Sequence, residues 1–144
     1  MTPQSPPSFT IRPATPNDCA RVVALWEAAG LTRPWNDPRA DFATALGSPA
    51  SAVLLALDGD TLVGSVMVGF DGHRGWVYYL AALPDRQGSG IGRSLMHAAE
   101  AWLRTRACPK IQLMVRGDNH AARGFYTALG YELQDVVTIG RRLD

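Results

Sequence analysis

The chain has 144 residues, of which 47% are hydrophobic and 19% charged, a balance that suits one globular core and argues against a disordered segment. With 14 Lys and Arg against 13 Asp and Glu, the formal charge is +1, which excludes the basic excess of a general nucleic-acid binder. No apolar run reaches the length of a bilayer span. Cys19 and Cys108 have neither CxxC nor metal-ligand spacing, so buried free thiols in a reducing, cytoplasmic setting and no metal site are expected.

Residues 1–8, MTPQSPPS, lack the basic start and apolar centre of a secretory signal and read as a flexible tail ahead of one domain over residues 9–144. Phe9 to Arg12 predicts a first strand. Thr15 as N-cap and Pro16 at the first helical position open a helix whose apolar face is Val22, Val23, Leu25, Trp26 and Ala29, ending near Gly30. The proline-bounded stretch Leu31 to Pro38 suits no regular element, and a shorter helix restarts at Asp37-Pro38 and runs to about Leu46.

Ser51 to Leu57 and Thr61 to Phe70 are apolar runs joined by Asp58-Gly59-Asp60, the signature of an antiparallel hairpin. Beyond the reversal Asp71 to Gly75, a strand is expected over Trp76 to Leu83, then a helix from near Gly90 to Ala107. Lys110 to Val115 reads as a strand and Ala121 to Leu129 as a short helix. Strands over Tyr131–Asp135 and Val136–Leu143 close the chain. The order β-α-α-β-β-β-α-β-α-β(-β) is that of an α/β (α+β) mixed sheet with helices on its faces.

The segment Gln87-Gly88-Ser89-Gly90-Ile91-Gly92 joins a strand to a helix. Alternating glycines allow a sharp turn and leave backbone amides open, and the helix start adds positive potential, so the pattern suits a phosphate or pyrophosphate. Arg86 and Arg93 flank it, and with Arg74 and Arg116 they are candidates for a local positive patch. A P-loop is excluded because Gly92 is followed by Arg93-Ser94 without the required lysine. A dinucleotide fingerprint is excluded because the glycines run GxGxG and the following strand ends without an acid. Further on, Asp118 or Asn119 is placed to cap a helix that carries Ala122, Phe125 and Leu129 on one stripe. Tyr126 falls one position off that stripe, where it is either a structural ring at the helix edge or a phenol facing the cleft between the two β-α units, and Gly130 ends the helix.

Together, Gln87-x-x-Gly90-x-Gly92 and Asn119-x-x-Ala122-x-x-Phe125-Tyr126-x-x-x-Gly130-Tyr131 resemble the GCN5-related N-acetyltransferase (GNAT) superfamily. LTRPWNDP at Leu31–Pro38, DGHRG at Asp71–Gly75 and Tyr78-Tyr79-Leu80 are similar to a small bacterial subgroup typified by YpeA. The resemblance implies the GNAT-like acyl-CoA N-acyltransferase fold. It also implies acetyl-CoA as cofactor, bound at Leu80, Ala81, Ala82, Gln87, Gly88, Ser89, Gly90, Ile91, Gly92, Arg93, Asn119 and Tyr126. Tyr126 is similar to the family's tyrosine near the thioester sulfur, a general acid for the leaving thiolate. The Ala82 amide is similar to the donor that meets the thioester oxygen.

The acceptor implied is a small-molecule or peptide amine, with neither nucleic acid nor membrane as partner and a homodimer as an option. Arg33, Trp35, Asn36, His73 and Arg74 are candidate acceptor contacts, and the two arginines favour a free carboxylate on the acceptor. The alternatives for Trp35 and Arg33 are a core plug and a solvated cation. Relatives often carry a glutamate on the strand before the loop, whereas Trp76 to Leu83 has no acid. A water chain from backbone and tyrosine groups is therefore the expected proton route, with Asp71 and His73 as outside candidates for a base, and His73 reads first as a surface residue, then as a substrate contact. An acyl-CoA-binding sensor that does no transfer is the competing reading.

Overall fold

The computed structural model describes residues 9–144, so the expected tail at residues 1–8 lies outside the described residues. The chain divides into two compact units, one reaching to Met114 and the other Val115–Asp144.

In the first unit, five strands lie in spatial order β1-β2-β3-β4-β5: β1 Thr10–Pro13, β2 Ser51–Asp58, β3 Thr61–Phe70, β4 Gly75–Ala82 and β5 Ile111–Gln112. The first four pair antiparallel, and β4 pairs parallel with β5. The helices are α1 Cys19–Ala28, α2 Pro38–Leu46 and α3 Ile91–Arg104. This is the mixed α/β fold that the order of elements predicts.

Alternation along the strands decides the layers. Val53, Leu55 and Leu57 face Val22, Val23, Leu25 and Trp26 of α1 and Phe42 and Ala45 of α2, and all are buried. The opposite face meets α3, whose Ile91, Leu95, Met96, Ala99 and Leu103 form its buried stripe. Gly64 on β3 admits that helix: a Cβ there would stand 2.5 Å from Ile91 Cγ2 and 2.9 Å from the Ala81 carbonyl oxygen.

The chain entering α1 is fixed by charge. A short 3₁₀ turn, Pro16–Asp18, precedes the helix, and Asp18 accepts from the Thr15 amide at 2.8 Å. Arg12 and Arg21 pair with the same carboxylate at 3.0 and 2.7 Å. These bonds, with that of Arg12 first among them, hold the Asp18 carboxyl well below the usual range. Asp37 caps α2 by accepting from the Arg39 and Ala40 amides, with Pro38 at the first position as expected.

Several expected boundaries move. The strand expected over Lys110 to Val115 is only Ile111–Gln112, since its ladder meets β4 at Gly75 and Trp76 alone. The third long helix stops at Arg104 rather than Ala107. Cys19 and Cys108 are free, as expected, but half-buried rather than buried.

In the second unit, α4 spans His120–Ala128. No ladder is assigned over residues 131–144, where strands are expected, and Leu133, Val136, Val137, Ile139 and Leu143 are exposed. A period-2 pattern specifies which side chains share a face, whereas a strand is established by the neighbour to which its backbone bonds.

Candidate functional site

β4 changes character half-way along its length. On the β5 side its ladder covers Gly75 and Trp76 and is absent from Val77 to Ala82 among the described residues. On the other side it stays bonded to β3, with Ala81 opposite Ser65 and Ala82 opposite Gly64. The result is an open strand edge at Leu80, Ala81 and Ala82, whose backbone groups require partners.

The opening coincides with a bulge. β3 pairs Ser65 with Ala81 and Met67 with Tyr78, so Tyr79 and Leu80 together oppose Val66. Tyr79 sits at φ +53°, an uncommon left-handed backbone for an aromatic residue. Its ring stacks on Trp26 with centroids 3.9 Å apart and planes 9° from parallel. Trp26 donates from Nε1 to Ser65 Oγ at 2.9 Å, and the Ser65 hydroxyl donates to the Tyr79 carbonyl oxygen at 3.4 Å. The Tyr79 phenol donates to Asp41 Oδ2 at 2.6 Å. Burial first, and then the Asp41 carboxylate, raise the Tyr79 phenol above its ordinary value.

The glycine-rich loop follows β4 through a short turn at Pro84–Arg86. Gly88 and Gly90 take φ +86° and +85°, and nothing lies within 4 Å of where a Cβ would stand on either. Gly90 is the N-cap of α3, and no side chain caps that helix. The first-turn amides of α3, including Ile91 and Gly92, are therefore left to solvent or a ligand. Gln87 is exposed, and Ser89 donates its hydroxyl to the Arg86 carbonyl. Arg93 is exposed on the first turn of α3, whereas Arg86 is tied to Asp58 at 2.9 Å and anchors the loop to the end of β2.

On the α1–α2 side, Arg33 donates from Nη1 to the carbonyls of Gly30 and Thr32, both at 2.9 Å. Trp35 is 55% exposed, so its indole plugs no core, and Asn36 is exposed as well. In the β3–β4 reversal, Asp71 accepts from the amides of His73 and Arg74 and from Trp76 Nε1. The backbone bond of Arg74 contributes most to holding the Asp71 carboxyl below its ordinary value. Asp71 is thus a turn former, and the exposed His73 rides on that turn. Arg74 Nη1 donates to the His73 carbonyl at 3.0 Å.

In the second unit, Asn119 Oδ1 accepts from the Ala122 amide at 3.1 Å, making Asn119, of the two candidates Asp118 and Asn119, the N-cap of α4. Tyr126 meets Phe125 and Tyr131 edge-on, with ring centroids 5.0 and 5.8 Å away. Burial pushes its phenol up to about 12, so the group stays protonated at neutral pH.

The sequence did not single out Asp41 or Ser65, and it marked Tyr79 only within the Tyr78-Tyr79-Leu80 likeness, with no role in a site. Asp41 stood in the first turn of an expected helix, and Tyr79 in a strand that reads as uniformly apolar. No local signal marks either, because the bulge and the stack that join them come from separate elements. Among the described residues no group of three or more His, Cys, Asp or Glu is arranged to hold a metal, and no helix is long and apolar enough to cross a membrane.

The comparisons with known proteins agree with this geometry. The profile of the Acetyltransferase (GNAT) family matches residues 22–131. This chain belongs to that family. An acetyltransferase of Pectobacterium atrosepticum is 47% identical over 127 residues, covering 88% of this chain and 90% of that one. An acetyltransferase of Yersinia pestis is 46% identical with the same coverage. Among solved structures, the aminoglycoside N-acetyltransferase AAC(6')-Iy in complex with CoA aligns with a TM-score of 0.81 at 17% identity, covering 94% of this chain and 95% of that one. At that identity the likeness establishes a shared fold. As a GNAT protein the chain is, at the level of the family, an acyl-CoA-dependent acetyltransferase.

Proposed function

We propose that this GNAT protein moves an acetyl group from acetyl-CoA to a primary amine by direct attack. The observation that carries the reading is the joint presence of an open β4 edge at Leu80–Ala82 and an uncapped α3 start behind two left-handed glycines. The first offers peptide-like partners to an extended amide-bearing arm, and the second offers amides to a pyrophosphate. Acetyl-CoA has both parts, which ATP and NAD lack as a pair.

When bound, the cofactor supplies an activated thioester. Gln87 to Gly92 hold its phosphates, with Arg93 adding charge, and Leu80 to Ala82 align its arm along β4. The Ala82 amide is the candidate donor to the thioester oxygen, where negative charge develops. Tyr126 serves as general acid for the departing sulfur and Asn119 sits at the start of its helix. Support comes from the resemblance and from a phenol that holds its proton through neutral pH. Arg33, Trp35, Asn36, His73 and Arg74 contact the acceptor. Arg33 Nη1 donates to the Gly30 and Thr32 carbonyls and Arg74 Nη1 to the His73 carbonyl, which anchors each guanidinium by one nitrogen and lets its other donors serve a carboxylate on that acceptor. The narrower resemblance to the YpeA-like subgroup rests on the loops that carry these residues.

Calorimetric titration with acetyl-CoA, with ATP and NAD as controls, tests the reading. One-site binding selective for acetyl-CoA, followed by acetyl transfer within a panel of primary amines, is the expected outcome. No binding of acetyl-CoA or longer acyl-CoAs overturns it. A second reading, a non-catalytic acyl-CoA-binding sensor, is favoured by one observation: β4 carries no acid. Binding without turnover across the panel would select it.

A further inference from the structure

Although β4 lacks an acid, a carboxylate reaches it from another element. Asp41, in the first turn of α2, accepts the Tyr79 phenol at 2.6 Å. Tyr79 immediately precedes the open edge at Leu80–Ala82, and the bulge of β4 turns it through a left-handed backbone. Three elements then fix the residue: Trp26 of α1 by stacking, Ser65 of β3 through the Tyr79 carbonyl, and Asp41 of α2 through the phenol. The titratable groups acting on the phenol are Asp41 and, at longer range, Asp37, while Trp26 and Ser65 do not titrate at working pH. Asp37 is occupied in capping α2, so Asp41 is the carboxylate that meets the hydroxyl.

We propose that Asp41, acting through the Tyr79 phenol, accepts the proton released by the acceptor amine, so that α2 provides the base that β4 lacks. The inference rests on the acetyltransferase reading above. Tyr79 Oη takes the N–H proton as the amine nitrogen bonds to the acyl carbon and the carbon–sulfur bond breaks, its electron pair staying on sulfur. The phenolic proton of Tyr79 passes to Asp41 Oδ2. A proton from solvent, passed directly or through Tyr126, which is reprotonated from solvent, neutralises the thiolate, and Asp41 afterwards releases its proton to solvent. A phenol–carboxylate pair suits this role because the phenol alone is too weak a base, whereas one that is already donating to a carboxylate can accept and pass on a proton in one motion.

The native protein, Tyr79→Phe, Asp41→Asn and the double variant are compared on an amine that the native protein acetylates. Tyr79→Phe retains the ring that stacks on Trp26 and guards against a folding defect in Asp41→Asn. Each single variant is expected to lower kcat about 100-fold near neutral pH while acetyl-CoA affinity by calorimetry is unchanged. Their rates should keep climbing with pH where the native rate levels off, and the double variant should be no slower than either single one. Melting temperatures of the same four proteins give a double-mutant cycle that registers the Tyr79–Asp41 bond without any substrate. Thermal coupling with an unchanged kcat and pH profile would reduce the pair to a tether between α2 and the sheet and overturn the relay. A native protein that binds acetyl-CoA yet acetylates no amine overturns the transfer reading itself, and the relay with it.

Discussion

Asp18 is the clearest case of a single residue that the fold depends on. Its carboxylate is buried and receives Arg12, Arg21 and the Thr15 amide, joining β1 to the start of α1. Because its folded-state pKa is depressed, its contribution is present above the unfolded value of about 4 and is lost as pH falls below it. Asp18→Asn should destabilise the protein by about 1–3 kcal/mol at neutral pH, measured by urea denaturation, and should flatten the loss of stability below about pH 4. An unchanged acid limb would show that the charge contributes nothing. For Tyr126 the proposed role is chemical, that of general acid. Tyr126→Phe should cut turnover about 10- to 100-fold with acetyl-CoA affinity nearly intact, and unchanged turnover would remove the phenol from the acid role.

At the scale of elements, two glycines do different work. Gly64 lets α3 lie close on β3, and a methyl there meets Ile91 Cγ2, Leu95 Cδ1 and the Ala81 carbonyl oxygen. Side chains can shift but the carbonyl cannot, so Gly64→Ala should cost about 1–3 kcal/mol in denaturant unfolding. Gly90 has open space around it, and its constraint is φ +85°. Gly90→Val should therefore act on the loop, weakening acetyl-CoA binding by about tenfold or more in calorimetry, as reshaping the start of α3 disturbs the amides proposed to hold the cofactor. Affinity equal to that of the native protein would mean that the loop does not hold the cofactor. The bulge at Tyr79 and Leu80 belongs to this scale too, since it lies in the part of β4 beyond the end of its β5-side ladder at Trp76.

For the whole molecule, ligand binding and stability are linked. If the native state alone holds acetyl-CoA, a ligand concentration about 100-fold above Kd adds about 2.7 kcal/mol and raises the melting temperature, an effect absent with ATP and NAD. Equal shifts with all three would point to a nonspecific anion effect. The midpoint should also respond to Gly90→Val, which ties the thermal readout to the loop rather than to the surface at large.

The sequence alone determined most of the element order, the antiparallel hairpin, the restart of a helix at Asp37-Pro38, the helix start at Asp118-Asn119 and the glycine turn of Gln87–Gly92. Each is written in local signals: period, proline and glycine placement, or a capping residue within one turn of the backbone it serves. The inward face of α1 was legible in the same way, including Trp26. Tertiary structure decided what Trp26 touches. Its hydrogen bond to Ser65 and its stack on Tyr79 cross between α1, β3 and β4, and a left-handed tyrosine is locally unfavourable until that packing stabilises it. The length of β5 was likewise out of reach, because a strand ends where its neighbour diverges and not where its apolar run stops. The meeting of Asp41 with Tyr79, which supplies a carboxylate to a strand that encodes none, follows from how α2 packs on the sheet. No spacing in the chain specifies it, since the residues are 38 positions apart and belong to different elements.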